Sequence, residues 1–115
     1  MALDIQKQFF SDRDDIMRDL LVTGFWPTTF VSGESPELPV HCHDTEVHTY
    51  VVEGETYMVD GETGEKHSVT AGDKIVLPPG VFHAEGVVKD RVVYILALPE
   101  ASNLEPLYRM IEPEQ

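Results

Sequence analysis

The sequence is short of positive charge, of cysteine and of long apolar runs, and each shortage excludes a class of protein. Eight lysines and arginines stand against 21 aspartates and glutamates, which gives a formal net charge of −13. A surface of that sign repels phosphate backbones, so we expect no nucleic-acid partner. The single cysteine cannot form an internal disulfide, and the N-terminus lacks the basic start and apolar stretch of a secretion signal, which predicts a cytoplasmic protein.

Membrane insertion is also not expected. Charges, prolines or glycines interrupt every hydrophobic stretch, and none approaches the roughly 20 residues that a membrane-spanning helix needs. A chain of 115 residues suits one domain with its own hydrophobic core. The sequence therefore predicts one domain, one site and no membrane partner.

The residues that are present divide the chain into three parts. Residues 1–23 combine charges with apolar residues at helical spacing, with Ser11 or Asp12 as a possible N-cap, and predict a partly helical N-terminal arm. Residues 24–100 carry short β-branched and aromatic runs between Gly, Pro, Asp and Glu, a pattern typical of an all-β domain. Residues 101–115 form a C-terminal tail in which apolar spacing allows about one helical turn.

The all-β part is predicted to contain eight strands, about the number in a double-sheet roll. The predicted strands are 25–31, 38–43, 47–52, 55–59, 66–69, 74–77, 83–88 and 91–97. The pair Asp60-Gly61 predicts a tight hairpin turn with positive φ at both residues. Large aromatic residues are expected in the core or at a subunit interface rather than in a binding pocket, and these are Phe25, Trp26, Phe30 and Tyr50.

Histidine is the residue type that points to chemistry. His41 and His43 lie two positions apart in a predicted strand, and strand alternation places both on one face. Two imidazoles at that spacing can converge on one metal ion about 2.1 Å from each nitrogen. Taken alone, the pair is better explained as two histidines at a solvated strand edge. A third histidine in a defined context is needed to favour a metal site.

Residues 72–83, with the sequence GDKIVLPPGVFH, provide that context. Pro78 and Pro79 end a strand because they fix φ and lack backbone donors. Gly80 can take the positive φ that reverses the chain, so that His83 opens the returning strand. The segment resembles the second motif of the cupin superfamily, Gly-x5-Pro-x-Gly-x2-His-x3-Asn, from Gly72 to His83.

The first cupin motif, Gly-x5-His-x-His-x3–4-Glu-x6-Gly, is matched by His41, His43 and Gly54. The two motifs occur in the right order and cover most of residues 41–88. The resemblance implies a cupin-type double-stranded β-helix, a jelly-roll barrel, with a short N-terminal helical arm. It also implies that His41, His43 and His83 point inward near the barrel mouth toward a shared metal.

Three positions depart from the motifs. Ser35 replaces the first glycine and Val87 replaces the closing asparagine, and both changes affect local turns only. The third departure concerns the site, because Val47 stands where the family places a glutamate ligand and valine cannot bind a metal. A fourth ligand must come from another residue or from water.

Three side chains compete for the fourth position. His48 fits the longer motif spacing, but strand parity puts both His48 and Glu46 on the opposite face unless a bulge or turn intervenes, for His48 near residues 44–45. Glu85 follows His83 by two residues and shares its face, and this His-x-Glu resembles the ligand arrangement of pirin, another cupin. We expect His41, His43, His83 and Glu85 to hold the metal, with His48 or water as the alternatives to Glu85.

This ligand set suits one divalent transition metal ion, namely Fe, Ni, Zn, Mn or Cu. The resemblance implies a metal-dependent enzyme acting on a small oxygenated organic molecule, in the manner of a dioxygenase or of an isomerase or lyase. The alternative is a non-catalytic small-molecule sensor or binding module with a structural metal. The expected partners are a small-molecule ligand or substrate and, through the apolar arm and tail, a second copy of the chain in a homodimer.

Overall fold

The computed structural model describes residues 3–100 and 110–113. The helical turn predicted for the C-terminal tail falls largely on residues outside this description. The chain order is β1 Asp4–Gln6, α1 Arg13–Thr23, β2 Trp26–Ser32, β3 Val47–Glu53, β4 Glu55–Asp60, β5 Lys66–Thr70, β6 Lys74–Leu77, β7 His83–Glu85 and β8 Val92–Leu98. No helix in the described residues has the length and apolar character needed to cross a membrane.

Two antiparallel sheets form the barrel. The larger has the strand order β1-β6-β3-β8-β2 and the smaller the order β5-β4-β7. Every neighbouring pair is antiparallel, and strands distant in sequence lie side by side, as in a jelly roll. The predicted all-β, jelly-roll fold class with one short helix is confirmed.

The main core lies between the two sheets. Alternate residues of strands from both sheets point into it, so that each strand contributes one apolar face. Its buried members are Val47, Val51, Met58, Val69, Ile75, Leu77, Val88, Val92, Tyr94 and Leu98. This core holds the two sheets together, and three of its members, Met58, Leu77 and Tyr94, also line a cavity described below.

Helix α1 covers the outer face of the larger sheet. Its N-cap is Asp12, one of the two residues that the sequence offers, and its side chain accepts a hydrogen bond from the backbone N–H of Asp15 at 3.0 Å. It ends at Gly24, which adopts the left-handed φ of 76° that favours glycine. A second buried cluster lies beneath the helix and consists of Phe10, Ile16, Leu20, Tyr50, Ile95 and Ala97.

A polar network is buried beside this second cluster. The carboxylate of Asp19 accepts hydrogen bonds from the Tyr50 hydroxyl and from the Lys74 ammonium, the latter at 2.6 Å. Burial alone would raise the pKa of Asp19, but these two donors outweigh it and hold the pKa below its usual range. We call Asp19, Tyr50 and Lys74 the Asp19 network.

Asp73 attaches the N-terminal arm to the barrel. Its fully buried carboxylate accepts hydrogen bonds from the ammonium of Lys7 at 2.6 Å and from the backbone N–H groups of Gln8 and Thr70, both at 2.9 Å. These donors hold the pKa of Asp73 below its usual range against the opposing effect of burial. The arm therefore continues the larger sheet through β1, a strand that the polar sequence Asp4-Ile5-Gln6 did not predict.

The strand predicted over residues 38–43 is wrong as a continuous element. Only two isolated bridges occur there, from His41 to His83 and from Cys42 to Ile111. Pro36 and Pro39 lack the N–H groups that a regular ladder requires. The segment nevertheless extends the smaller sheet alongside β7, which itself ends at Glu85 rather than at residue 88.

The Asp60-Gly61 turn also differs from its prediction. Strands β4 and β5 do form a hairpin, but positive φ occurs at Gly64 and not at Asp60 or Gly61. The Asp60 carboxylate accepts hydrogen bonds from the N–H groups of Glu62 and Thr63, which stabilises a longer loop. Gly61 has a different use, because a Cβ there would lie 2.6 Å from the backbone of Phe82.

Candidate metal centre

The three predicted histidines are brought together by backbone pairing. The N–H groups of His41 and His83 each donate to the other residue's carbonyl, at 2.9 and 2.8 Å, so the two side chains leave the chain side by side. The carbonyl of His43 accepts from the N–H of Gly80 at 2.9 Å, and Gly80 has the predicted positive φ, at 78°. The Pro-Pro-Gly corner therefore holds both histidine segments in register.

Four side chains converge at this point. One ligand atom from each of His41, His43, His83 and Glu85 lies within 4.8 Å of all the others. The carboxylate of Glu85 spans two imidazoles, with Oε2 at 3.3 Å from Nε2 of His41 and Oε1 at 3.5 Å from Nε2 of His83. The histidines are buried, at 2%, 7% and 0% exposure, whereas the side chain of Glu85 is 29% exposed. We call these four residues the His3Glu cluster.

Hydrogen bonds on the far side of two rings determine which nitrogen faces the cluster. Nδ1 of His41 lies 2.7 Å from the carbonyl of Pro39, and Nδ1 of His83 lies 3.0 Å from the carbonyl of Val81. A carbonyl only accepts, so Nδ1 carries the proton and each neutral ring turns the lone pair of Nε2 toward the cluster. Nε2 of His83 is buried and has no hydrogen-bond partner.

This arrangement fits a cation. Lone pairs on two imidazole nitrogens face the oxygens of one carboxylate, and like partial charges at that distance repel unless a proton or a metal ion lies between them. Neutral imidazoles oriented by backbone carbonyls, together with a carboxylate, are a standard donor set for a divalent transition metal. The four residues present are therefore suited to such an ion.

The electrostatics of the four side chains show the same preference for positive charge. Burial alone would raise the pKa of Glu85, but when the imidazoles of His41 and His83 also carry a proton on Nε2, their hydrogen bonds and charge hold it well below its usual range. Burial lowers the pKa of His41, yet the carboxylate of Glu85 more than compensates and raises it. The carboxylate is thus ionised at neutral pH and favours positive charge on the imidazole side.

Three members of the cluster, His41, His43 and Glu85, line a cavity of about 250 Å³. The cavity is lined by Phe30, Leu38, His41, His43, Thr49, Met58, Leu77, Glu85, Tyr94, Leu96 and Met110. Tyr94 is 5% exposed, and burial together with the negative charge of Glu85 raises its pKa to about 12. The phenol therefore stays protonated across the neutral range.

His48, the other candidate ligand, lies elsewhere. Its ring stacks on Phe25 with centroids 4.2 Å apart, and its Nε2 is hydrogen-bonded to the carboxylate of Glu46 at 2.5 Å. The bulge that would turn it inward is absent, because His48 keeps regular register with both neighbouring strands and β3 shifts only between Val51 and Glu53. Val47 points inward but belongs to the apolar core.

Sequence reasoning missed the residues that line the cavity. Phe30 was expected in the core or at an interface, but it lines the cavity, where its ring stacks on Tyr94 with centroids 6.3 Å apart. The available signal was parity: Tyr94 and Leu96 alternate with Ile95 in the apolar run of β8, so both face the barrel interior. Tyr50, by contrast, is core, as expected.

The sequence profile of the cupin domain matches residues 28–99. The chain belongs to the cupin family. Those residues include both histidine segments and all strands from β3 to β8, so the family covers the whole His3Glu cluster of this cupin. No curated protein matches the chain.

Solved structures of similar fold come from several bacteria. A DUF861 family protein from Thermotoga maritima has 22% identity and a TM-score of 0.60, covering 84% of this chain and 98% of its own. The DMSP lyase DddQ from Ruegeria pomeroyi has 18% identity and a TM-score of 0.56, over 69% of this chain and 40% of its own. At these identities the likeness concerns the fold alone.

A third structure is nearer in sequence. The polyketide cyclase RemF from Streptomyces resistomycificus has 26% identity and a TM-score of 0.53, over 89% of this chain and 70% of its own. Its match extends over more of this cupin than the other two. The family and the fold of the chain therefore rest on independent comparisons of sequence and of structure.

Proposed function

We propose that this cupin binds one divalent transition metal ion through His41, His43, His83 and Glu85 and is a metal-dependent enzyme acting on a small oxygenated organic molecule. One observation carries the proposal. The carboxylate of Glu85 faces two imidazole nitrogens whose rings carry their protons on the opposite side, at the backbone carbonyls of Pro39 and Val81. A divalent cation held by His41, His43, His83 and Glu85 would replace this repulsion by attraction.

The chain's own residues have distinct roles in this site. The carbonyls of Pro39 and Val81 orient the rings of His41 and His83, so the donors are held in place before any ligand arrives. Glu85 contributes a negative charge and remains partly accessible from the cavity. When bound, the ion supplies a Lewis acid for a substrate oxygen or a centre for oxygen chemistry. The apolar walls keep bulk water away from that end.

Two further observations support an enzyme. The cluster opens into a cavity of about 250 Å³, so a small molecule has space to reach it. RemF, which has 26% identity to this chain, is a polyketide cyclase and therefore an enzyme. The alternative function is a non-catalytic sensor or binding module in which the ion is structural, and it predicts metal retention without turnover.

The experiment separates metal binding from catalysis. The purified protein is stripped with a chelator, reloaded in turn with Fe, Mn, Ni, Zn and Cu, and analysed for bound metal. Oxygen uptake and product formation are then followed with a panel of diols, keto acids and thiols. We expect one ion per chain and turnover with at least one metal form.

Each negative result has one meaning. A protein that retains none of these metals contradicts the metal centre. Stoichiometric metal with uniform inactivity of all forms contradicts the enzyme and leaves the binding module. Asp14→Ala, an exposed change on α1 far from the cluster, is the matched control for preparation losses.

A further inference from the structure

The wall of the cavity is mostly apolar. Apart from the His3Glu cluster it consists of Phe30, Leu38, Thr49, Met58, Leu77, Tyr94, Leu96 and Met110. Six of these eight are apolar and two carry a hydroxyl group. None of the lysines and arginines in residues 3–100 or 110–113 belongs to the lining. We call these eight residues the cavity wall.

The wall residues that the structure describes include no cation, and this restricts what can enter. An anionic group held against this wall, away from the His3Glu cluster, loses water and meets no opposite charge from these residues, which is costly in an apolar surrounding. The carboxylate of Glu85 and the net charge of −13 add repulsion of the same sign. A molecule with several hydroxyl groups is disfavoured as well, because among the described wall residues only Thr49 and Tyr94 have hydrogen-bonding side chains.

The size of the cavity limits how much of a molecule it can enclose. Its volume is about 250 Å³, whereas an apolar cavity of ~150 Å³ is known to hold benzene. One ring with a short substituent therefore fits. The side chains of Phe30 and Met110 are the exposed apolar members of the lining, at 48% and 53%.

Tyr94 provides the one phenol of the wall. It lies on β8 beside Leu96, is almost fully buried, and makes no hydrogen bond to the residues that the structure describes. A buried tyrosine normally uses its hydroxyl group, since the apolar ring and the polar tip favour a site with one oxygen partner. The hydroxyl is thus available as a donor to an oxygen atom of a bound molecule.

We propose that the cavity selects a compact, uncharged and largely apolar molecule of about one ring, whose single oxygenated end points to the His3Glu cluster and accepts a hydrogen bond from Tyr94. The orientation of the oxygenated end rests on the proposed function, whereas the selection by charge and size rests on the cavity wall alone. Tyr94 is on this account a specificity-determining residue that contacts the substrate.

The first test compares two ligands that differ by one charge. Benzyl alcohol and 4-(hydroxymethyl)benzoate share the ring and the hydroxymethyl end, and only the second adds a carboxylate. Binding to the metal-free and the zinc-loaded protein is followed by NMR titration, with the amides of Thr49 and Leu96 reporting the cavity. We expect benzyl alcohol to bind at least ~10-fold more tightly to the metal-free protein, because there the carboxylate meets no cation among the described wall residues. Equal affinities would overturn the proposal.

A substitution that adds a positive charge to the cavity wall extends this test. Leu96→Arg places a guanidinium in the wall and is expected to remove or reverse the preference for the neutral ligand. Thr29→Arg is the matched control, because Thr29 is exposed on the opposite face of β2, where it pairs with Ile95. A Thr29→Arg protein that changes the preference as much as Leu96→Arg contradicts the role of the cavity wall.

The role of Tyr94 has its own measurement. Tyr94→Phe is expected to weaken the binding of benzyl alcohol about 3- to 10-fold, the value of one hydrogen bond. The affinity for toluene should not change, because toluene accepts no hydrogen bond. A merely structural effect would weaken both ligands. Tyr57→Phe, which removes an exposed hydroxyl bonded to Glu37, is the control and leaves both affinities unchanged.

The two proposals fail differently. Loss of selectivity in both the metal-free and the zinc-loaded protein contradicts the inference about the cavity wall, whatever the metal content. Selectivity that persists in a protein that retains no metal upholds the cavity wall and contradicts the proposed function. A preference for the neutral ligand in a protein that also retains metal supports both proposals.

Discussion

Two buried polar clusters lie on opposite sides of the larger sheet, and they differ in whether their charges are satisfied. In the Asp19 network, one carboxylate accepts from the Tyr50 hydroxyl and from the Lys74 ammonium, so a negative and a positive charge are paired. In the His3Glu cluster, one carboxylate faces imidazole nitrogens whose protons are used elsewhere. Both clusters bury polar groups. Only the His3Glu cluster leaves acceptors facing one another without donors, and this imbalance indicates a ligand site.

The largest effect is expected from a substitution in the Asp19 network. Asp19→Ala leaves the ammonium of Lys74, which is 4% exposed, without its partner. We expect the free energy of unfolding to fall by about 3 to 5 kcal/mol, measured by denaturant titration, with metal content unchanged. Asp14→Ala, an exposed change on the same helix, should stay within about 0.5 kcal/mol. A loss of metal in Asp19→Ala would contradict the separation of the two clusters.

The second largest effect is expected from a substitution in the His3Glu cluster. His83→Ala removes a fully buried imidazole nitrogen of the proposed centre, and we expect metal affinity to fall by more than ~100-fold. Elemental analysis after dialysis against a weak chelator measures the retained metal, and circular dichroism checks the fold. His48→Ala is the control, because His48 is equally buried but stacks on Phe25 outside the cluster. A His48→Ala protein without metal would overturn the ligand assignment.

A smaller effect is expected at the carboxylate. Glu85→Ala removes the most exposed member of the His3Glu cluster and leaves the three imidazoles in place. Water can take the vacated position, so metal affinity should fall roughly 10-fold, less than in His83→Ala. The two variants are compared in one competition titration. An equal loss in both would mean that the carboxylate is as essential as the buried imidazole.

The smallest effect is expected in the pH dependence of stability. The pKa values of Asp19 and Asp73 are lowered in the folded protein, so the unfolded chain binds more protons. The stabilisation is complete above the unfolded pKa of about 4 and is lost as pH falls through the lower folded values. In Asp73→Asn, the free energy of unfolding should fall less steeply as the pH is lowered into the acid range. Asp14→Asn should show the same acid dependence as the unchanged protein. An unchanged acid limb in Asp73→Asn would contradict this assignment.

Much of the centre could be predicted from local patterns. Residues 72–83 predicted a strand, a corner and a returning histidine, and the structure has β6, a positive φ at Gly80 and β7 in that order. Strand parity separated Glu85 from His48, and the structure places only Glu85 beside the three histidines. Parity succeeded even where residues 38–43 do not form a regular strand, because one bridge, from His41 to His83, is enough to set the face.

The failures share a physical cause. The Asp60-Gly61 turn was predicted from two residues, but the backbone of Gly61 donates to the carbonyl of Phe82 at 2.8 Å, a contact that local sequence does not contain. Phe30 and Tyr94 meet across β2 and β8, more than sixty positions apart in the sequence, to form the cavity wall. Homodimer formation and a cytoplasmic location stay predictions.

The sequence by itself determined the family, the all-β class and the faces of the histidines, because strand alternation and proline and glycine stereochemistry act over a few residues. The tertiary structure alone decided which nitrogen faces the cluster, which carboxylate is satisfied and what lines the cavity. These depend on carbonyls, ammonium groups and apolar side chains from distant strands, and only packing brings them together. The difference between the Asp19 network and the His3Glu cluster is therefore visible only in the folded chain.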